Sequence, residues 1–241
     1  LEDEDRLLQV AYRYEDTKTL STGLVMEDTV TVNELFKPPV PIKLPAMAVH
    51  HVTEKMITGK PAFKGSSTHK ELVDLFGKED RILVAHNAKY DIGMLAKEGV
   101  KVSKHICTYK LARYVDSGQF ESHQMQYLRY YYGIDVDATA HDALGDIIIL
   151  EEVFNKLTEE LIKKDFPTIV PVGTELIDRL VEVSKLPSLI KKINFGKYNG
   201  MTLADIASED KGYLKWLLEQ KKLKPKGEED MIYSLEYYIG K

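Results

Sequence analysis

Apolar and polar side chains alternate over residues 7–14, near the start of the chain. A period of two places successive side chains on opposite faces of an extended segment, so this pattern predicts a strand. A second β-rich run at 29–32 stops before a proline cluster at 38–41, which enforces an extended surface arm. The continuously apolar run at 81–85 is typical of an inner strand covered on both faces.

Apolar side chains at three- and four-residue steps predict the helices. The clearest pattern predicts a long, core-facing helix, and its apolar positions are Ile147, Leu150, Phe154, Leu157 and Leu161. Asn87 is the predicted N-cap of a helix over 88–98, because its side chain can accept a hydrogen bond from a first-turn backbone N–H. Further helices are predicted at 68–77, 107–116, 122–132 and 174–185. This mixture of strands and helices indicates an α/β domain.

Two prolines, Pro167 and Pro171, predict a domain boundary. We expect an N-terminal domain over 1–165, a linker with a connecting helix over 166–190, and a small C-terminal module over 191–241. Within that module we expect a helix from about Thr202 and an amphipathic stretch over 213–218, which together with glycine turns give it apolar surface for a core of its own.

Composition excludes several classes of protein. With 44% hydrophobic residues over 241 positions, the chain can bury a core, which excludes collagen-like, low-complexity and disordered proteins. We find no run of 18 apolar residues and no secretion leader, and we expect a cytoplasmic protein without a membrane partner. The single cysteine, Cys107, excludes an internal disulfide and agrees with a reducing compartment.

Charge is unevenly distributed along the chain. The net charge of -5 excludes a protein that coats nucleic acid by bulk positive charge. Residues 187–241 carry ten Lys against eight Asp or Glu, a net charge of +2, which leaves -7 for the rest of the chain. The C-terminal end is therefore the less repulsive part for a polyanion.

The segment 86–91, His-Asn-Ala-Lys-Tyr-Asp, follows the predicted inner strand and opens a helix. Ligands of open α/β sheets bind beyond the carboxyl ends of strands, so Asp91 is expected to point toward a cleft. The alternative is that Asp91 only complements the positive end of the helix dipole.

A second segment, 141–146, reads His-Asp-Ala-Leu-Gly-Asp and stands at the start of the longest helix. In one continuous helix His141 and Asp146 would lie about 140° apart, so they converge only if His141 precedes the helix. That arrangement suits a mobile general base beside a carboxylate ligand. Otherwise Asp142 is an N-cap, His141 a loop residue and Asp146 an inward polar side chain, which is costly to bury alone.

Together the two segments resemble the second and third motifs of the DEDDh exonucleases, the DnaQ-like 3′→5′ proofreading superfamily. Residues 48–54 are similar to the family's "VHGIT-E" stretch, with His51 where a glycine is common, and 106–113 resemble the helix between the motifs. The resemblance extends over residues 7 to about 157. It implies an α/β, ribonuclease H-like three-layer fold with a central mixed sheet.

The segment 195–203, with 212–217 after it, resembles the small C-terminal module of the exodeoxyribonuclease X group. Met201 departs from the usual "FGKYxGK" form, which has a lysine there. Glycines for tight turns and Lys197 for phosphate contact are both consistent with this segment.

The resemblance implies a two-metal mechanism in which four carboxylates hold two cations, Mg²⁺ or Mn²⁺, at the scissile phosphate. Asp91 and Asp146 would be two of the ligands, and His141 would take the proton from the attacking water. The product would be a 5′-mononucleotide. The substrate-binding residues implied in the same way are Val49, His50, Asn87, Tyr90 and Lys197.

The family's first motif, Asp-x-Glu-Thr-Thr-Gly, is not found, and Leu1 resembles the residue directly after its glycine. We therefore expect the protein to be longer at this end, with the motif on a central strand. The alternative is a fragment that does not catalyse. The acidic run at 2–5 lacks a preceding apolar strand and reads as a solvated turn.

The leading hypothesis is a metal-dependent 3′→5′ exonuclease that acts on DNA 3′ ends, with single strands favoured and polymerase or repair proteins as candidate partners. An exoribonuclease of the same fold is the alternative within the enzyme class, since the sugar is chosen by 2′-OH contacts. A non-catalytic, polymerase-associated module that binds nucleic-acid ends is another alternative. The plainest alternative is an α/β domain with coincidental motifs.

Overall fold

The structure is a computed structural model that describes residues 5–19, 25–136 and 143–240. The chain divides into two compact units, Leu1–Ser184 and Lys185–Lys241. Across the described ranges no helix is both long and apolar enough to cross a membrane.

Among the described residues of the first unit, four strands form two separate sheets. β1 (Gln9–Thr19) and β2 (Val25–Leu35) pair in antiparallel fashion, whereas β3 (Leu83–Ala85) and β4 (His105–Cys107) pair in parallel. The three predicted strands are confirmed, but the hairpin strands are longer and the inner strand is shorter than the patterns indicated.

Within the described ranges, the strands expected in a central mixed sheet form two separate sheets. The antiparallel pair and the parallel pair each stay two-stranded, and a cavity of about 760 Å³ is lined by both β1 and β3. No strand within the described ranges bridges them. The two sheets therefore form walls of one cavity.

Eight helices are described in the first unit. They are α1 (Leu44–His50), α2 (Glu54–Ile57), α3 (Ser67–Phe76), α4 (Lys89–Lys97), α5 (Thr108–Val115), α6 (Met125–Tyr131), α7 (Ala143–Asp165) and α8 (Glu175–Lys185). Predicted and observed bounds agree within a few residues, and the long helix is confirmed as α7. The short helices α1 and α2 were not predicted.

The main core lies along α7. Four of its side chains are buried at four-residue steps, namely Ile149, Val153, Leu157 and Leu161. They join buried residues of α5, such as Leu111, and of α8, such as Leu180, in one cluster. The helix expected within the linker thus contributes to the core of the first unit.

The second unit has its own core of three helices. They are α9 (Leu203–Glu209), α10 (Lys211–Leu223) and α11 (Glu229–Gly240). The core side chains are Ile193, Leu203, Ile206, Leu214, Leu217, Met231 and Leu235. The sequence patterns predicted the first two helices and missed α11.

Candidate active site

A tight turn at the carboxyl end of β3 positions Asp91. Asn87 has a left-handed backbone with φ +62°, and its carbonyl accepts a hydrogen bond from the backbone N–H of Tyr90 at 2.9 Å. Ala88 is fully buried against Ala85, so α4 starts directly against the strand. Asp91 consequently lies in the first turn of α4.

The prediction that Asn87 is the N-cap of this helix is wrong. The N-cap position is Ala88, and no side chain caps the helix. An N-cap residue usually has an extended backbone, whereas Asn87 is left-handed, a conformation that asparagine tolerates better than most residues. The turn thus requires Asn87 for its backbone conformation.

Asp146 is held in the first turn of α7. Its Oδ1 atom accepts a hydrogen bond from Nε2 of Gln126, on α6, at 3.2 Å. The side chain is half-buried, so the carboxylate is neither a free surface group nor a core residue. α6 thereby fixes the direction in which this carboxylate points.

The two carboxylates line the same cavity of about 760 Å³. β1 and β3 form walls of this cavity, and α4 and α7 contribute Asp91 and Asp146. His50 and Tyr90 line it as well. The structure therefore brings together four of the residues that the sequence singled out.

The remaining predicted residues are placed differently. Val49 is 67% exposed, and Asn87 is exposed beside the turn; neither lines the cavity. Lys197 belongs to the second unit. His141 lies outside the described residues, two positions before α7 begins.

Burial makes the charge of Asp91 costly. Burial of the carboxylate raises the pKa of Asp91 to about 6, and a hydrogen bond from its own backbone N–H lowers that pKa by less. A carboxylate in such surroundings gains from a cation placed beside it. Asp91 therefore has the electrostatics of a cation ligand.

Burial disfavours the charged form of two histidines that line the cavity. Burial lowers the pKa of His86 to about 4, and its Nδ1 atom lies 2.9 Å from Oγ1 of Thr108. Burial also lowers the pKa of His50, whose Nδ1 accepts a hydrogen bond from the backbone N–H of Val52 at 3.0 Å. Neutral imidazoles put no positive charge beside a cation site.

Sequence reasoning missed an ion pair at this cavity. Arg13 of β1 and Glu151 of α7 both line it, and their Nη1 and Oε2 atoms are 2.7 Å apart. Glu151 stands four positions after Ile147, which also lines the cavity, so helical periodicity could have placed Glu151 on this face but could not have identified Arg13 as its partner.

The carboxylate oxygens at this cavity are chemically suited to a hard divalent cation. Carboxylate oxygens are the ligands that Mg²⁺ and Mn²⁺ prefer, and Asp91 and Asp146 both supply them to one cavity. No group of three or more His, Cys, Asp or Glu side chains arranged to hold a metal occurs in the part of the chain that the structure describes. The two aspartates are thus the contribution of this part to such a site.

Comparison with known proteins identifies the family. A sequence model of the Exonuclease family matches residues 5–154, which is more than half of the chain. The chain belongs to this exonuclease family. A second model, described as Exodeoxyribonuclease X-like C-terminal, matches residues 193–222. The family expected from the motifs is confirmed, and the protein is a nuclease of the DnaQ-like type.

Individual relatives agree with this assignment. Exodeoxyribonuclease 10 of Escherichia coli (strain K12) is 30% identical over 188 residues, which cover 77% of this chain and 76% of the relative. The DNA polymerase III subunit epsilon of Treponema pallidum (strain Nichols) is 25% identical over 189 residues, which cover 75% and 81%.

A solved structure supports the predicted fold class. Exonuclease X in complex with 5′ overhanging duplex DNA matches with a TM-score of 0.51 and 22% identity. The match covers 75% of this chain and 92% of that chain. This similarity confirms the ribonuclease H-like fold of the exonuclease.

Proposed function

We propose that this exonuclease is a divalent-metal-dependent 3′→5′ exodeoxyribonuclease that hydrolyses phosphodiester bonds at DNA 3′ ends and releases 5′-mononucleotides. The observation that carries the proposal is that Asp91, after β3, and Asp146, on α7, line one cavity. The exonuclease family and a relative named as an exodeoxyribonuclease at 30% identity support the reaction and the substrate.

Asp91 and Asp146 are the proposed ligands of two divalent cations, Mg²⁺ or Mn²⁺. When bound, such cations would supply positive charge at the scissile phosphate and would make the attacking water more acidic. The desolvated carboxylate of Asp91 favours a bound cation over an isolated negative charge. Gln126 orients Asp146 through its hydrogen bond, so this ligand is fixed before a cation arrives.

His141 is the proposed general base. It stands two positions before the first residue of α7, on the segment that leads directly to Asp146. The ordinary imidazole pKa near 6.5 suits a group that takes a proton from the attacking water at neutral pH. His86 is less suited to this role, because burial lowers its pKa to about 4, and Nδ1 of His50 already accepts a hydrogen bond from the backbone N–H of Val52.

The 3′-terminal nucleotide is proposed to enter the cavity beside His50 and Tyr90. The Tyr90 ring is 54% exposed and borders the cavity that Asp91 lines, so it is accessible to a base or sugar. Stacking on such a ring tolerates any base. Val49 and Asn87 are the further proposed contacts, at the exposed margin, and Lys197 is the proposed phosphate contact in the C-terminal module.

Asp146→Asn in the full-length gene product tests the proposal. The substitution keeps the size of the side chain and removes its charge, so Mg²⁺-dependent nucleotide release should fall at least about 100-fold. Glu152→Gln is the matched control, because Glu152 is exposed on the same helix and should keep full activity. Unchanged release by Asp146→Asn would refute the assignment, provided that both variants melt like the parent.

Direction and sugar preference need labelled substrates. With a single DNA strand, a 3′ label should appear in mononucleotides at once, whereas a 5′ label should appear last. A matched RNA strand should be degraded more slowly. Immediate release of the 5′ label would contradict the proposed direction, and faster loss of RNA would favour the exoribonuclease alternative. Binding of ends without metal-stimulated hydrolysis would favour a non-catalytic module.

Partner and location stay predictions. Similarity to a polymerase III epsilon subunit supports a polymerase as candidate partner, and the single cysteine supports the cytoplasm as location. Co-purification of the tagged protein with a polymerase subunit, and fractionation of cells that produce it, are the respective measurements.

A further inference from the structure

The C-terminal module carries a row of three aromatic rings, of which Tyr198 and Tyr213 also pack against its core. The ring centroids of Tyr198 and Tyr213 are 4.9 Å apart, and those of Tyr213 and Trp216 are 5.7 Å apart at an interplanar angle of 36°. Trp216 is 55% exposed. On the same helix, α10, Leu214 and Leu217 fill the core, so packing leaves the indole at the surface.

Lysine ammonium groups lie over two rings of this module, the half-buried Tyr198 and the exposed Phe195. Nζ of Lys197 lies 4.6 Å from the centroid of the Tyr198 ring, and Nζ of Lys221 lies 5.3 Å from that of Phe195. Phe195 is 39% exposed. We define the aromatic–lysine surface as these rings and their lysines: Phe195, Lys197, Tyr198, Tyr213, Trp216 and Lys221.

This surface is fixed in shape by a glycine and an aspartate. Gly196 has φ +66°, and a Cβ atom there would lie 3.0 Å from the Tyr213 hydroxyl. Asp210 accepts hydrogen bonds from the Tyr198 hydroxyl at 2.8 Å and from the backbone N–H of Tyr213 at 3.0 Å. The two tyrosines are therefore held in place before any ligand binds, which lowers the cost of ordering a ligand on them.

Charge favours a polyanion as the occupant. Residues 187–241 have ten Lys against eight acidic residues, while the rest of the chain is net negative. Lysine is depleted at protein–protein interfaces, whereas exposed rings beside basic groups are the usual combination in proteins that bind single strands. In a duplex the faces of the bases are already stacked on each other, so the rings suit unpaired bases.

We propose that the aromatic–lysine surface binds single-stranded DNA, with bases stacked on Trp216 and Phe195 and with phosphates near Lys197 and Lys221. This inference rests on the proposed function for its choice of DNA over RNA. It assigns the C-terminal module a role as a binding platform for the unpaired substrate strand, separate from the hydrolysis at Asp91 and Asp146.

Binding to the full-length chain in chelator tests the inference, because no hydrolysis then occurs. Trp216 is the single tryptophan of the chain, so its fluorescence reports directly on stacking and should be quenched by an oligothymidine. Trp216→Ala should weaken binding of a labelled oligothymidine about 5- to 150-fold, as expected for one lost stacking contact, whereas Trp216→Phe should keep most of the affinity.

Tyr233→Ala is the matched control, since Tyr233 is an exposed ring of the same module outside the surface. It should bind as the parent does, and the affinity of the parent should fall as salt rises. The inference would be overturned if Trp216→Ala bound the oligothymidine as tightly as the parent, or if both alanine variants lost the same affinity. Unchanged tryptophan fluorescence at saturation, or tighter binding of a blunt duplex, would also overturn it.

Failure of this inference is distinguishable from failure of the proposed function. If Trp216→Ala releases nucleotides in Mg²⁺ and binds the oligothymidine as the parent does, the platform is refuted and the nuclease stands. If the parent binds in chelator through Trp216 but releases nothing in Mg²⁺, the nuclease is refuted and the platform stands.

Discussion

Substitution of His86 should remove about 2.5 kcal/mol of the loss of stability that the fold undergoes between pH 7.5 and pH 4.5. The imidazole lies beside the cavity, with Thr108 Oγ1 2.9 Å from its Nδ1 and the Tyr109 ring edge-on at 5.6 Å. Burial lowers the pKa of His86 from 6.5 to about 4. A hydrogen bond with the backbone of His123 raises this pKa, and the charge of the His123 ring lowers it.

The magnitude follows from the linkage between protonation and folding. Below pH 6.5 the unfolded chain takes up the proton first, so this contribution to stability is fully present above pH 6.5 and is lost as the pH falls toward 4. Complete loss of this contribution would lower the free energy of unfolding by about 3 kcal/mol. At pH 4.5 most of it, about 2.5 kcal/mol, should already be gone.

Urea unfolding in chelator at pH 7.5 and pH 4.5 measures the effect. His86→Gln has no titrating ring, so the stability of this variant should fall between the two pH values by about 2.5 kcal/mol less than that of the parent. The same carboxylates titrate in both proteins, so their contribution to the pH dependence cancels in this comparison.

Equal pH dependence in the parent and in His86→Gln would refute the reasoning, since it would mean that His86 does not resist protonation in the folded protein. A titration midpoint for the His86 ring near 6.5, measured by NMR, would refute it independently. Either result would also remove the argument that a neutral imidazole borders the candidate cation site.

Two further predictions concern the fold. Asn87→Ala should destabilise the protein by about 1–2 kcal/mol, because alanine resists the left-handed backbone at φ +62°, and Asn87→Gly should cost less; thermal unfolding compares them, and equal costs would contradict the explanation. Leu157→Ala should cost about 2–5 kcal/mol in urea unfolding, since Leu157 is fully buried. Leu44→Ala, at a 77% exposed side chain, should cost under about 0.5 kcal/mol.

Elements with a strong period were predictable from the sequence. Apolar side chains at three- and four-residue steps up to Leu161 predicted α7, because one face of a long helix must be buried. Alternation over 7–14 predicted β1, because a hairpin strand buries one face. α11 was missed because the exposed Tyr233 and Tyr237 alternate with the core-facing positions Met231, Leu235 and Tyr238 and so obscure the apolar stripe.

The sequence singled out Asp91 and Asp146, which line one cavity, and their role as cation ligands stays a prediction. Asp91 and Asp146 follow from their positions after a strand and at the start of a helix. The conformation of Asn87 depends on a turn that Ala88 closes against Ala85, and such contacts leave no periodic signal. The ion pair of Arg13 with Glu151 joins residues far apart in sequence, so it emerges only from the folded arrangement.

Manganese binding is the most direct test of the central claim that Asp91 and Asp146 together hold divalent cations over a nucleic-acid end. A crystal of the full-length protein soaked in Mn²⁺ should show anomalous density in contact with both carboxylates. Titration calorimetry should show that Asp91→Asn and Asp146→Asn each lose this binding. Density elsewhere only, or Mn²⁺ binding that survives both substitutions, would contradict the account.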